Sequence, residues 1–152
     1  MNIVRRDFLS LATKGAAALM AVAAFPSLVF ARNDKAFGAH NLADAVANRY
    51  PGMTAADSDK ITLKAPAIAE NGAVVPLTVK SSLDNVKSIS IFVENNPAPL
   101  ATSFNLGPQN IAEVSVRIRM GKTSNVIAMV ETDAGLFQTK QEVKVTIGGC
   151  GG

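Results

Sequence analysis

From Ile61 onward, apolar and polar residues alternate. Ile61, Leu63 and Ala65 are set against Thr62 and Lys64; Val75, Leu77 and Val79 against Pro76, Thr78 and Lys80; Ile89, Ile91 and Val93 against Ser88, Ser90 and Phe92. The clearest run places Ala112, Val114, Val116, Ile118 and Met120 opposite Glu113, Ser115, Arg117 and Arg119. A period of two puts one row of side chains into a core and the other into water, the pattern of a half-buried strand. Val126 to Glu131 is almost continuously apolar, as a central strand should be. A last run starts near Leu136, turns polar through Thr139-Lys140-Gln141-Glu142 and resumes with Val143, Val145 and Ile147. Turn-forming clusters separate these runs at Glu70-Asn71-Gly72, Leu83-Asp84-Asn85, Asn95-Asn96-Pro97, Leu106-Gly107-Pro108, Met120-Gly121-Lys122 and Thr132-Asp133-Ala134-Gly135. Short strands with frequent turns and no long interior helix predict an all-β fold, an immunoglobulin-like antiparallel β-sandwich.

One segment breaks the strand pattern. Leu42, Ala45, Val46 and Arg49 fall at helical spacing, with Asn41 as N-cap and Pro51-Gly52 as stop. This predicts a short amphipathic helix over about 41–50, preceded by a polar lead-in, Arg32-Asn33-Asp34-Lys35. No internal repeat and no domain boundary follows residue 32, so residues 32–147 read as one sandwich domain.

Residues 1–31 read as a cleaved export signal. Arg5-Arg6 followed by Phe8 and Leu9 resembles the twin-arginine motif. An uncharged run from Gly15 to Ala31 ends in Val29-Phe30-Ala31, a small-x-small cleavage pattern. Val4 and Ser10 depart from the commonest twin-arginine form, which leaves Sec export open. The run has 17 residues and contains Pro26, short of the about 20 apolar residues of a spanning helix. The expected location is the periplasm, with no membrane attachment after cleavage. The signal also accounts for most of the apparent basicity. The chain has 15 Lys+Arg and 12 Asp+Glu; without Arg5, Arg6, Lys14 and Asp7 the balance is 12 against 11. No basic run is interleaved with aromatics, so nucleic acid is not an expected partner.

The body offers little chemistry of its own. It has one histidine, His40, and one cysteine, Cys150, so neither an internal disulfide nor a Cys/His zinc cluster can form within one chain. No G-x-S-x-G elbow or phosphate-binding glycine loop occurs. Asp57 and Asp59 lie in a polar, loop-like stretch and read as solvated, His40 reads as a solvated turn residue, and Met120 and Met129 read as core filler. No catalytic residue, metal site or cofactor is expected.

The distinctive chemistry lies at the other end, in Gly148-Gly149-Cys150-Gly151-Gly152. Four glycines leave the thiol without neighbouring side chains and give its backbone maximal freedom. Three residue steps beyond Ile147 carry the sulfur roughly 10 Å from the folded body when extended. An unperturbed thiol titrates at about 8.5, so activation must come from a partner's pocket. The predicted device is a swinging arm: Cys150 attaches substrate covalently, and Gly148, Gly149, Gly151 and Gly152 form the arm.

The run Val143-Lys144-Val145-Thr146-Ile147-Gly148-Gly149-Cys150-Gly151-Gly152 closely resembles the carboxyl terminus of the SoxY family, the sulfur carriers of the bacterial thiosulfate-oxidising (Sox) system. Ala69 to Leu77 is similar to that family's early strand pair, and Arg117-Ile118-Arg119-Met120 followed by Ser124-Asn125-Val126 to its later one. The resemblance implies a carrier acted on by partner enzymes rather than an enzyme. It implies a heterodimer with SoxZ, a c-type cytochrome complex (SoxXA) that joins thiosulfate to Cys150, a hydrolase (SoxB) that releases sulfate, and a sulfur dehydrogenase where one is present. Cys150 would then hold S-thiosulfonate and persulfide adducts. The alternative is a non-catalytic periplasmic sandwich that binds or scaffolds, with an incidental tail.

Overall fold

Two opposing demands shape the body: each sheet must bury one face, and the more apolar sheet must bury both. The computed structural model describes residues 33–146; the export-signal reading of residues 1–31 and the arm Gly148–Gly152 with Cys150 lie outside the described residues. The chain forms α1 (Asp34–Phe37), α2 (Leu42–Arg49), β1 (Ala55–Asp57), β2 (Ile61–Lys64), β3 (Ile68–Ala69), β4 (Val75–Ser81), β5 (Val86–Val93), β6 (Leu100–Asn105), β7 (Glu113–Ile118), β8 (Ser124–Thr132) and β9 (Gly135–Val145). The larger sheet runs β1-β9-β8-β5-β6, with β3 also on β9; the smaller runs β2-β4-β7.

The predicted sandwich is present, with a third layer on one side. Ile89, Ile91, Val93, Val126, Ala128, Val130 and Val143 of the larger sheet pack on Ile61, Val75, Leu77, Val79 and Ile118 of the smaller one. On the opposite face of the larger sheet, Phe92, Ile127, Met129 and Leu136 pack against Ala36, Ala45 and Tyr50 of the helical segment. Burying Phe92 completely is worth about 1.5–3 kcal/mol, which outweighs the preference of its serine neighbours for water. This corrects the expectation that Ser88, Ser90 and Phe92 form a wet row: all three are buried, because the helices cover them.

The helix is where its cap places it. Asn41 is extended (φ −138, ψ 158), and its side-chain oxygen accepts from the Asp44 amide at 2.8 Å while its Nδ2 donates to the Asp44 carboxylate at 2.7 Å. The supposed polar lead-in is instead a first helical turn, α1. Asn33 caps it by accepting from the Ala36 amide at 3.1 Å and donates to the Asn48 carbonyl at 2.8 Å, tying α1 to α2.

Two strands were not anticipated, β1 and β6. β1 and β3 are three and two residues long, and both pair in parallel with β9, at Leu136–Gln138 and at Lys144–Val145. The antiparallel pattern therefore holds everywhere except at these edge pairings. The polar stretch Thr139–Glu142 does not interrupt β9, which pairs without a break along β8. The consecutive strands compared with the family's strand pairs, β3 with β4 and β7 with β8, lie in different sheets.

Candidate functional site

The described part of β9 ends where the chain is held from both sides. The Thr146 amide donates to the Ala69 carbonyl at 3.2 Å, on the β3 side. One residue earlier the Val145 amide points the other way and donates to Thr123 Oγ1 at 3.0 Å. Gly72 closes this clamp. Its carbonyl accepts from the Met120 amide at 2.7 Å, and a Cβ there would run into the Met120 carbonyl oxygen and stand 2.8 Å from Val145 Cγ1. Glycine is needed at this turn for close backbone approach rather than for a left-handed conformation. The strand that leads to Gly148–Gly152 is thus rigidly anchored up to Thr146. Cys150 follows four residues later, a reach of roughly 14 Å when extended.

The surroundings of this root are partly apolar and partly basic. Among the described residues, Ile68 and Val74, 58% and 50% exposed, are two of the three large apolar residues that stand out in water. Arg117 and Arg119 lie on the outward row of β7 and its extension, which leads through Met120 to Gly72. Asn96 fixes this end of the sandwich by donating to the Arg119 carbonyl at 2.7 Å and accepting from the Gly121 amide at 3.1 Å. On the outer face of the smaller sheet, Lys64, Pro66, Pro76, Thr78, Ser115 and Arg117 line a shallow, open concavity of about 820 Å³.

The remaining sequence candidates stay apart. His40 is exposed, its Nδ1 3.3 Å from the Pro97 carbonyl. Asp57 is exposed on β1 and accepts from Gln138 Nε2 at 3.0 Å, and Asp59 is exposed. Met120 and Met129 are buried in the two separate cores. Among the described residues, no group of three or more His, Cys, Asp or Glu is placed to hold a metal ion, and no helix is long and apolar enough to cross a membrane.

Sequence reasoning missed a buried polar chain beneath the helices. The Tyr50 hydroxyl donates to Ser90 Oγ at 2.8 Å and lies 3.3 Å from Ser88 Oγ. Ser90 in turn donates to Ser103 Oγ at 2.8 Å, which also accepts from Arg49 Nε at 2.9 Å. At the other end, Ser88 donates to the Glu131 carboxylate at 2.8 Å. Burial raises the Tyr50 phenol above its ordinary pKa, only partly offset by its serine hydrogen bonds and by Arg49, whose guanidinium sits 4.6 Å over the ring. The sequence signal was available: two serines share a strand face with Phe92, and one tyrosine stands at the end of an amphipathic helix. These bonds tie the helical layer to the larger sheet.

Comparison with known proteins matches this arrangement. A family model described as sulfur oxidation protein SoxY matches residues 47–150, most of the chain and through Cys150. The solved structure of the sulfur carrier protein SoxY from Chlorobium limicola f thiosulfatophilum is 43% identical, covers 70% of this chain and 97% of that one, and superposes with a TM-score of 0.65. A superoxide reductase (neelaredoxin) from Ignicoccus hospitalis, 13% identical, covers 57% of this chain and 80% of its own with a TM-score of 0.52, a likeness of fold alone. No protein of curated description matches the sequence. With the sandwich, its anchored last strand and the glycine-flanked cysteine all inside the matched region, the chain belongs to the SoxY family.

Proposed function

We propose that this protein is a periplasmic sulfur carrier that holds thiosulfate-derived intermediates covalently on Cys150 and presents them to successive enzymes. The observation that carries the reading is the anchoring of the chain up to Thr146 by β3, Thr123 and Gly72, with Ile147 and then Gly-Gly-Cys-Gly-Gly following in sequence. A rigid root and a glycine arm fix where the sulfur is tethered while leaving its approach direction free. Tethering replaces diffusion of a small intermediate with a high local concentration at each active site.

The chemistry balances as follows. In loading, the Cys150 thiolate and thiosulfate form an S–S bond and give the S-thiosulfonate; two electrons leave to a c-type cytochrome complex of the SoxXA kind. In release, water attacks the terminal sulfur, the S–S bond breaks, sulfate and two protons depart, and Cys150 keeps a persulfide. A hydrolase of the SoxB kind performs that step, and a sulfur dehydrogenase, where present, oxidises the remaining sulfane. Every acid, base and metal resides in the partners, so this chain is a substrate carrier rather than an enzyme. SoxZ, a second small β-sandwich, is the expected heterodimer partner. Assembly with it before export would account for a twin-arginine signal on residues 1–31.

Intact-protein mass spectrometry on material from thiosulfate-grown cells, with and without reductant, tests the reading. Reducible increments of sulfane or thiosulfonate mapping to Cys150 are expected, and Cys150→Ser should abolish thiosulfate oxidation. An unmodified thiol that stays unloaded with thiosulfate and the cytochrome complex would overturn the carrier role and favour a binding or structural module.

A further inference from the structure

The outward face of the smaller sheet is basic, in a body whose charges otherwise balance. Setting aside Arg5, Arg6, Lys14, Arg32 and Asp7, which precede residue 33, the 15 Lys+Arg and 12 Asp+Glu of the chain become 11 and 11. Strand register decides which of them share this face, because residues directly opposite in a sheet point to the same side. Thr62 stands opposite Lys80 and Lys80 opposite Glu113; Lys64 stands opposite Thr78 and Thr78 opposite Ser115; Pro76 stands opposite Arg117. Arg119 follows two residues on, exposed like Glu113, Ser115 and Arg117 of its row. Four of the 11 cations therefore lie here, with one of the 11 carboxylates, Glu113. Lys80 takes that carboxylate at 3.3 Å. Among the described residues, the side chains of Lys64, Arg117 and Arg119 make no ion pair and no hydrogen bond.

A face that only had to stay wet would need polarity of either sign, and a balanced body would supply both. This face is one-signed, and its make-up limits what covers it. The concavity of about 820 Å³ between Lys64 and Arg117 is shallow and open, and the hydroxyls of Thr78 and Ser115 in its lining bond to each other at 2.8 Å. It is thus no enclosed pocket for a small molecule. The exposed large apolar residues among those described, Ile68, Val74 and Ile111, all lie off these rows. Permanent subunits meet through extensive apolar surface, with charge depleted at its centre. Unpaired cations among hydroxyls and prolines fit a transient encounter instead, in which complementary charge sets the approach rate and the orientation.

We propose that the outer face of the smaller sheet is where the carrier docks on the enzyme that loads it, with Lys64, Arg117 and Arg119 meeting an acidic surface of that enzyme. This rests on the carrier reading and deepens it by giving recognition to the body rather than to Cys150. An unloaded thiol among glycines offers the loading enzyme no charge and little shape, so the folded domain must supply the contact. A carrier must also leave before it meets its next partner, and exposed charges give fast association without tight holding.

The test measures loading of the SoxZ-bound carrier by the purified c-type cytochrome complex and thiosulfate, followed by haem reduction and intact mass, at rising ionic strength. Lys64→Gln/Arg117→Gln/Arg119→Gln removes the three unpaired charges, all exposed; Lys35→Gln/Lys87→Gln/Lys140→Gln removes three exposed charges elsewhere. Circular dichroism verifies that both fold. At low salt the first variant should lose about tenfold in kcat/KM for the carrier, with kcat and the KM for thiosulfate unchanged. The gap from wild type should close as salt rises, and the second variant should track wild type throughout. A first variant as good as wild type, or an equal loss in the second, would overturn the inference and leave the carrier reading standing. So would an effect that belongs to another occupant: a raised KM for thiosulfate, loss of the heterodimer with SoxZ, or altered self-association of the carrier on sedimentation. A wild-type Cys150 that takes up no adduct would overturn both.

Discussion

Tyr50→Phe isolates the bond between the helical layer and the sheet. Phenylalanine keeps the ring against Phe92 and Leu100, so the apolar burial is retained and only the hydroxyl is lost. That hydroxyl gives one good hydrogen bond, to Ser90 at 2.8 Å, and one long one, to Ser88 at 3.3 Å. Neither serine is orphaned as a donor, because Ser90 still donates to Ser103 and Ser88 to Glu131. The expected cost is therefore that of one net buried hydrogen bond, about 1–1.5 kcal/mol, well below the about 3–5 kcal/mol of emptying an aromatic site. Urea unfolding should show a lower midpoint with an unchanged slope, since the surface exposed on unfolding is the same.

The same residue carries a pH signature. Burial holds the folded phenol above its ordinary value of 10.0. Above pH 10 the unfolded chain releases this proton while the folded chain keeps it. Stability is thus unaffected by Tyr50 below the unfolded value, and falls as pH rises through the folded one. Lys87, raised by its ion pair with Asp133, slopes the same way, so the difference between wild type and Tyr50→Phe is the quantity to follow. The chain has one tyrosine and no tryptophan, which makes phenolate absorbance a direct readout of this group. A phenol titrating like free tyrosine, with Tyr50→Phe as stable as wild type, would refute the packing of the helices on the sheet.

Two further substitutions test other joints. Gly72→Ala forces a methyl against the Met120 carbonyl, a backbone group that cannot swing aside. It should cost about 1–3 kcal/mol and speed hydrogen exchange selectively at Val145 and Thr146, as measured by mass spectrometry. Asn41→Ala removes the acceptor for the Asp44 amide and should destabilise by about 1 kcal/mol, with Asn41→Ser restoring most of it, as read from thermal unfolding followed by circular dichroism.

Which parts of this molecule were legible in its sequence follows from what covers each face. β4 and β7 alternate cleanly because the outer face of the smaller sheet meets water: Pro76, Lys80, Glu113, Ser115 and Arg117 are exposed. In β5 the same alternation misleads, since Ser88 and Ser90 are polar yet buried, their hydroxyls satisfied by Tyr50, Ser103 and Glu131. Periodicity reports that two faces differ, not that one is wet. β6 was hidden for a related reason. Its half-buried Ser103 and exposed Asn105 both accept from Arg49, so the strand carries the polarity of a loop. The arm reading rests on residue types alone, a thiol among glycines at 148–152, and lies outside the described residues. Arg117 and Arg119 lie between these cases. In sequence they are merely the polar half of a strand, and the fold sets them on the open edge of the smaller sheet, one residue before Met120 meets Gly72.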